Sequence, residues 1–250
     1  MDSFPDTSWD PACPDLERLL AESEVTDSGL IPSASNYVFV LALRDGDAGT
    51  GHAVYKPARG EAPLWDFPPD IYRREVASYL VSEAIGWRLV PPTILREEGL
   101  PHGAGSLQAY IPADQNCTFF DLRDANGEAM RLLATFDWLT NNADRKGGHV
   151  LQDGEGHIWG IDNALSFHVE EKLRTVIWDY AGEPMPEPLV ADVAAFVESF
   201  TAESPIWASL SEYLEASELE QLRARGEEIL RERVFPQPPD WRRPYPWPLI

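Results

Sequence analysis

The sequence predicts an α+β protein in two unequal parts. Through about residue 115 it reads as a small, mostly antiparallel sheet carrying one helix; beyond that it reads as a mostly helical body. Three observations carry this. YVFVLALRDGDAGTGHAVYKP (37–57) places two apolar, β-branched runs around a Gly/Asp turn. YRREVASYLVSEAIGW (72–87) repeats apolar residues every four positions, as Val76, Leu80, Ala84 and as Ala77, Val81, Ile85, which is helical spacing. EAMRLLATFDWLTNN (128–142) and LVADVAAFVESF (189–200) show the same spacing in the second half, the first ending at an Asn pair.

Taken in order, PDLERLLAESE (14–24) predicts a short helix and SGLIPSASN (28–36) a loop of small residues. In the second strand of the 37–57 pair, His52, Val54 and Lys56 share one face, because strand side chains alternate. RGEAPLWDFPPD (59–70) is a loop, and VPPTILREEGLPHGAGSLQAYIP (90–112) gives two short strands around a Gly-rich turn. After the helix over 128–142, HVLQDGEGHIWGID reads as a hairpin with a DGEG turn, and EPMPEP (183–188) as a proline-spaced linker. A further helix is expected after Pro205, and another over SELEQLRARGEEILRERV, opened by a capping box from Ser217 to Glu220. The Pro- and Trp-rich tail FPQPPDWRRPYPWPLI is expected to strap against the body. The resulting division is an extension over 1–27, a first lobe over 28–112, a second over 113–234 and the tail over 235–250.

Composition limits the function classes. Forty-two acids against twenty bases in 250 residues give a formal net charge of −22, which repels nucleic acid and anionic membrane surfaces. Neither a nucleic-acid partner nor stable membrane association is therefore expected. The two cysteines, Cys13 and Cys117, have no paired spacing, so neither a disulfide framework nor a zinc site is implied. The acidic start MDSFPDTSWDPACPDLERLL has no apolar run, and YVFVLAL is too short to span a bilayer; the sequence reads as cytoplasmic.

The chemistry-bearing residues lie in two places. Lys56 ends a strand and Glu75 begins a helix. If the helix packs on the sheet the two can pair and aim an ammonium at a phosphate, although a solvated strand end and a first-turn acid fit the same residues. Asp144 follows a helix in NNADRKGGH, and Asp162 follows a strand in GIDNALSFH. A hairpin between them can bring two carboxylates together, and ionised convergent carboxylates usually hold a hard cation such as Mg²⁺. Asp is also common in turns, where it caps backbone N–H groups.

NNADRKGGH followed by GIDNALSF resembles the catalytic loop and metal loop of the phosphoinositide-kinase-like (phosphatidylinositol 3-/4-kinase-related) families. The likeness is greatest to type II phosphatidylinositol 4-kinases, with a looser likeness to HipA-type kinases. AVYKP and REVASYLVSEAIGWRLVPPT resemble their lysine strand and following helix, in the same order, so the chain looks like a bacterial branch of these families over roughly 28–182. The resemblance implies a two-lobed protein-kinase-like fold and an ATP-dependent phosphotransferase using ATP with Mg²⁺ or Mn²⁺. By position, Lys56 contacts the phosphates, Glu75 orients it, Asp144 is the catalytic aspartate and Asp162 the metal ligand. Ser33, Ser35 and Asn36 fall where the phosphate-covering loop sits, and Tyr110 and Ile111 fall at the hinge beside the adenine. His149 stands where these families place a metal-binding Asn, so it is expected as a second ligand with a preference shifted toward Mn²⁺. Arg145 is expected to brace the loop. The alternatives are a nucleotide-binding pseudokinase, a kinase-fold AMP-transferase, and a metal-dependent hydrolase built on His149, His157, His168, Asp144 and Asp162.

Overall fold

The computed structural model describes residues 4–31 and 37–250. Five antiparallel strands form one sheet, in the order β1 (Glu24–Leu30), β2 (Phe39–Asp45), β3 (Gly49–Pro57), β5 (Gly105–Ala109) and β4 (Thr93–Arg96). β3 alternates strictly: Gly51, Ala53 and Tyr55 are buried, while His52, Val54 and Lys56 are half-buried on the other face. The buried face packs against α1 (Leu16–Glu22), whose Leu16, Leu19 and Leu20 join Leu41, Leu43, Tyr55 and Leu107 in a small core. That is the hydrophobic reason a seven-residue helix persists: its apolar stripe is covered by the sheet.

Helix α2 (Tyr72–Ala84) lies between the sheet and the helical body, and its Ala77, Tyr79 and Val81 belong to the larger core. That core is completed by α4 (Gly127–Thr140), α5 (Glu187–Ser199) and α7 (Ala216–Glu232), through residues such as Leu133, Phe136, Val193, Phe196 and Leu222. Short helices α3 (Phe119–Leu122) and α6 (Pro205–Leu210) and the hairpin β6 (Val150–Gln152)–β7 (Ile158–Gly160) fill the remainder. The predicted two-part α+β architecture is the one observed.

Several boundaries differ from expectation. Residues 28–30 are strand rather than loop, because β1 pairs with β2 from Leu30↔Phe39 back to Glu24↔Arg44. The stretch expected to be an extension thus supplies α1 and the start of β1 to the sheet. Further upstream, Ser8 exchanges two hydrogen bonds with the His52 backbone, and the Trp9 ring covers Gly51 so closely that a Cβ there would meet it at 2.1 Å. The proline-spaced 183–188 segment is pinned: Pro184 bridges Val234, and Met185 is buried with its N–H on the Arg233 carbonyl at 2.9 Å. The capping box of α7 runs from Glu215 to Glu218, not from Ser217 to Glu220. Glu218 accepts the Glu215 N–H at 2.9 Å with one oxygen and pairs with Arg74 of α2 through the other, so a tertiary partner sets the helix frame.

Candidate active site

Lys56 points from the half-buried face of β3 into the cleft between sheet and body. Its ammonium is held by two carboxylates, Glu75 Oε1 from the first turn of α2 and Asp162 Oδ1 at 2.6 Å from the loop after β7. Glu75 is 2% exposed, and its second oxygen accepts the Asn163 backbone N–H at 3.0 Å. The start of α2 is fixed from outside the helix, where Glu61 Oε1 accepts the Tyr72 N–H at 2.7 Å. A side chain from the preceding loop thus does the work of an N-cap.

The opposite wall begins where α4 ends. Asn141 adopts the left-handed conformation (φ 57°), and its amide donates to the carbonyls of His168 and Glu170 at 2.9 and 2.7 Å. Asn142 accepts the Asp144 N–H at 2.9 Å, a tight Asx turn that presents Asp144. Arg145 is fully buried; it donates to Asp137 at 3.0 and 3.2 Å, to Asn163 Oδ1 at 2.6 Å and to the Ile161 carbonyl at 2.6 Å. It therefore ties the loop carrying Asp144 to the loop carrying Asp162 and is not itself open to a ligand. Asp162 too is left-handed (φ 57°), a conformation that Asp tolerates better than most residues.

Charge is distributed unevenly. The protein surroundings alone would push the Asp162 carboxyl up, but Lys56, then His149, hold it far below the usual carboxylate range. Burial alone would lower Lys56, yet Asp162 and Glu75 raise it above the ordinary lysine value. Burial raises Asp144, with Lys146 at 3.0 Å opposing that rise. Burial lowers His149 to about 4, so the ring is neutral near pH 7. Its Nδ1 accepts the Lys146 N–H at 3.4 Å, so Nε2 carries the proton and donates toward Asp162 Oδ2 at 3.2 Å.

Two adjoining cavities share Val38, Lys56, His149 and Asp162. One, of about 260 Å³, is lined by Val54, Gln108, Tyr110, Ile111 and Leu151 at the join between lobes. The other, of about 520 Å³, is lined by Tyr37, Tyr72, Lys146, Pro248 and Ile250. Lys56, Glu75, Asp162 and His149 are thus brought together. Asp144 lines neither cavity but pairs at 3.0 Å with Lys146, which lines the second, and Tyr110 and Ile111 line the first. Ser33, Ser35 and Asn36 lie outside the described residues. Among the described residues no group of three or more His, Cys, Asp and Glu side chains is arranged to hold a metal. His157 instead contacts the Arg88 carbonyl at 2.8 Å, which removes the basis of the histidine-hydrolase alternative.

A divalent ion would find Asp162 and, beside it, His149. That suits Mg²⁺ or Mn²⁺, which take one or two protein ligands and fill the rest with water and phosphate oxygens. Ligation through His149 Nε2 requires the other tautomer, with the 3.4 Å contact from Lys146 given up. Sequence reasoning missed Glu61 and the tail residues Pro248 and Ile250. Their roles depend on contacts across 11 and about 100 positions, which no local pattern encodes.

No family model matches the chain. It is 36% identical to Protein Rv2133c of Mycobacterium tuberculosis, across 94% of its own length and 96% of that protein's. The chain belongs to the family of Protein Rv2133c. Members of the Rv2133c family are thereby tied to a kinase-like scaffold, because the chain superimposes on the Golgi casein kinase over 87% of its length and 73% of that chain (TM-score 0.58, 14% identity). The hydra Fam20 structure with sugar matches over 87% of each chain (TM-score 0.56, 13% identity). The Golgi casein kinase with Mn/ADP bound matches at a TM-score of 0.55, with 13% identity over 87% of this chain and 74% of that one. The two-lobed kinase-like fold follows from these matches. The chain is also 25% identical to phosphatidylinositol 4-kinase gamma 4 of Arabidopsis thaliana, across 53% of its own length and 28% of that protein. Among the described residues no helix is long and apolar enough to cross a membrane.

Proposed function

We propose that the chain is an ATP-dependent phosphotransferase, with Asp144 as the catalytic aspartate and Asp162 as the metal-side carboxylate. The carrying observation is the Lys56 ammonium, bound at once by Glu75 and Asp162 at the junction of two cavities. Phosphoryl transfer needs a fixed cation on the nucleotide phosphates, a metal-holding carboxylate and an aspartate at the incoming hydroxyl. Lys56, Asp162 and Asp144 supply these three, with the first cavity, at Tyr110 and Ile111, taking the base.

In this reading Glu75 fixes the height of the Lys56 ammonium, and Asp144 accepts the acceptor hydroxyl's proton. Its raised carboxyl makes it a better base than a free aspartate. Asp162, with His149 beside it, would hold Mg²⁺ or Mn²⁺, which neutralises charge on the transferring phosphate. Mn/ADP in the Golgi casein kinase supports the nucleotide and metal assignment. The motif order and the likeness to the plant phosphatidylinositol 4-kinase support a place near the phosphoinositide-kinase-like families. The −22 charge and the absence of any basic lipid-docking stretch put a lipid acceptor behind a protein or a small molecule.

The test is a nucleotide-induced thermal shift with Mg²⁺ or Mn²⁺, followed by incubation with γ- and α-labelled ATP. Transfer of the γ label, lost in Asp144→Asn, is the expected result. Retention of the α label on product would instead assign AMP transfer, and a shift with no transfer to any acceptor would assign a pseudokinase.

A further inference from the structure

Residues 241–250 run along the helical body to the cleft and form one wall of the candidate active site, with outer sides exposed at Trp247 and Ile250. Arg242 donates to the Leu173 carbonyl at 2.6 Å and to Glu171 at 2.7 Å. The Pro244 carbonyl accepts both the Thr175 N–H and the Trp178 indole N–H, each at 3.1 Å. The Leu249 carbonyl accepts the Gly147 N–H at 2.7 Å, three residues after Asp144. The approach is close: a Cβ on Gly147 would crowd the Phe120 ring at 2.9 Å and reach the Leu249 carbonyl at 3.4 Å. Pro248 and Ile250 then line the 520 Å³ cavity together with Lys56, Lys146 and Asp162.

These anchors occupy two backbone donors that a peptide substrate could otherwise use. Across the Asp144 loop and the facing 174–176 segment, Arg145 donates to Arg174, Arg174 to Asn142, Val176 to Arg145 and His149 to Lys146. Gly147 and Thr175 donate to the strap, which leaves Gly148, on the lining of the first cavity, as the loop's remaining backbone donor. The strap is itself a peptide segment whose backbone carbonyls at Pro244 and Leu249 engage the Asp144 loop and the segment facing it. What stays open is the cavity, whose volume lies in the range of small-molecule sites, roughly 300–1,000 Å³. Its walls offer apolar surface from Ile71, Ala164, Pro248 and Ile250, and hydroxyls from Tyr37 and Tyr72.

We propose that the strap is the acceptor wall of this site, and that it restricts the acceptor to a small hydroxyl compound with an apolar flank. This rests on the phosphotransferase reading. In the step, the acceptor oxygen bonds to the γ-phosphorus of ATP, the bond from that phosphorus to the β,γ-bridging oxygen breaks, and ADP leaves. The acceptor's hydroxyl proton passes to Asp144. The wall also narrows the approach of water to the acceptor's place.

The experiment compares the full chain with Arg242→Ala/Pro248→Gly/Ile250→Gly, using γ-labelled ATP with Mn²⁺, an unstructured Ser/Thr-containing peptide, and hydrogen exchange at the Gly147 and Thr175 amides. The unaltered chain is expected to leave the peptide unlabelled. The loosened variant is expected to exchange both amides faster, release inorganic phosphate at least about threefold faster and label the peptide, as an opened site admits water and larger acceptors. The nucleotide-induced thermal shift stays the same in both. Peptide labelling by the unaltered chain would overturn the proposal, and so would unchanged phosphate release with both amides freed. A chain that shows no nucleotide-induced shift brings down the phosphotransferase reading instead. Ile250→Ala alone, which removes wall but no anchor, gives the same comparison if the triple variant does not fold.

Discussion

Glu75 Oε2 accepts the backbone N–H of Asn163 at 3.0 Å while Oε1 holds Lys56. One carboxylate therefore sets both the height of the lysine and the position of the loop that carries Asp162. Glu75→Gln keeps an acceptor for Asn163 but removes the charge opposite a lysine 19% exposed. Nucleotide affinity is expected to fall by about tenfold or more, with a modest loss of stability. Glu75→Ala also frees the Asn163 N–H and is expected to cost about 3–5 kcal/mol. Urea unfolding and nucleotide titration separate the two effects.

Lys146 tunes Asp144. A base works only when deprotonated, so turnover is lost as pH falls through its pKa. Burial raises the Asp144 carboxyl and Lys146 opposes that rise. Lys146→Met is thus expected to move the acid limb of the rate profile upward. Phosphate release from ATP as a function of pH reads this directly. Asp144→Asn is expected to lower transfer by about 10²–10⁴ while leaving nucleotide affinity in place.

His149 sets an acid limit on stability. Its folded value is about 4, against about 6.5 in an unfolded chain. Between those values the unfolded state binds a proton that the folded state does not, so stability falls as pH drops from 6.5 toward 4. Above 6.5 both forms are neutral and the effect vanishes. His149→Asn is expected to flatten this part of the unfolding free-energy profile, by on the order of 2 kcal/mol at its lower end. In the same variant the ratio of turnover with Mn²⁺ to that with Mg²⁺ is expected to fall.

Arg145 and Asp137 are both fully buried and hydrogen-bonded to each other. Arg145→Met leaves the Asp137 charge without its counterion and is expected to cost about 3–5 kcal/mol. Asp137→Leu/Arg145→Met removes both charges and is expected to recover part of that loss. Differential denaturation of the single and double variants checks it.

The elements that could be read in the sequence are those whose own residues decide them. β2 and β3 alternate around a Gly/Asp turn, and α2 and α4 carry apolar residues at helical spacing, so local pattern and tertiary packing agree. β1 gave no such signal, because EVTDSGL buries a single residue and is held by its pairing with β2. The frame of α7 was displaced because Glu218 answers to Arg74, 144 positions away. Of the candidate site, the positions of Lys56, Glu75, Asp144 and Asp162 were legible as motifs. The tail was legible as a strap, but its arrival beside Gly147 depends on five separate anchors and on the absence of a Cβ there.

Consecutive residues of α2 are fastened in different directions. Glu75 reaches Lys56 and Asn163, while Arg74 donates to the Ser166 carbonyl at 2.5 Å and pairs with Glu218 of α7. The helix cannot swing outward without stranding two buried charges at once. In the proposed phosphotransferase, α2 is thereby held from two sides, so control would fall on what is admitted to the cleft rather than on a swing of this helix.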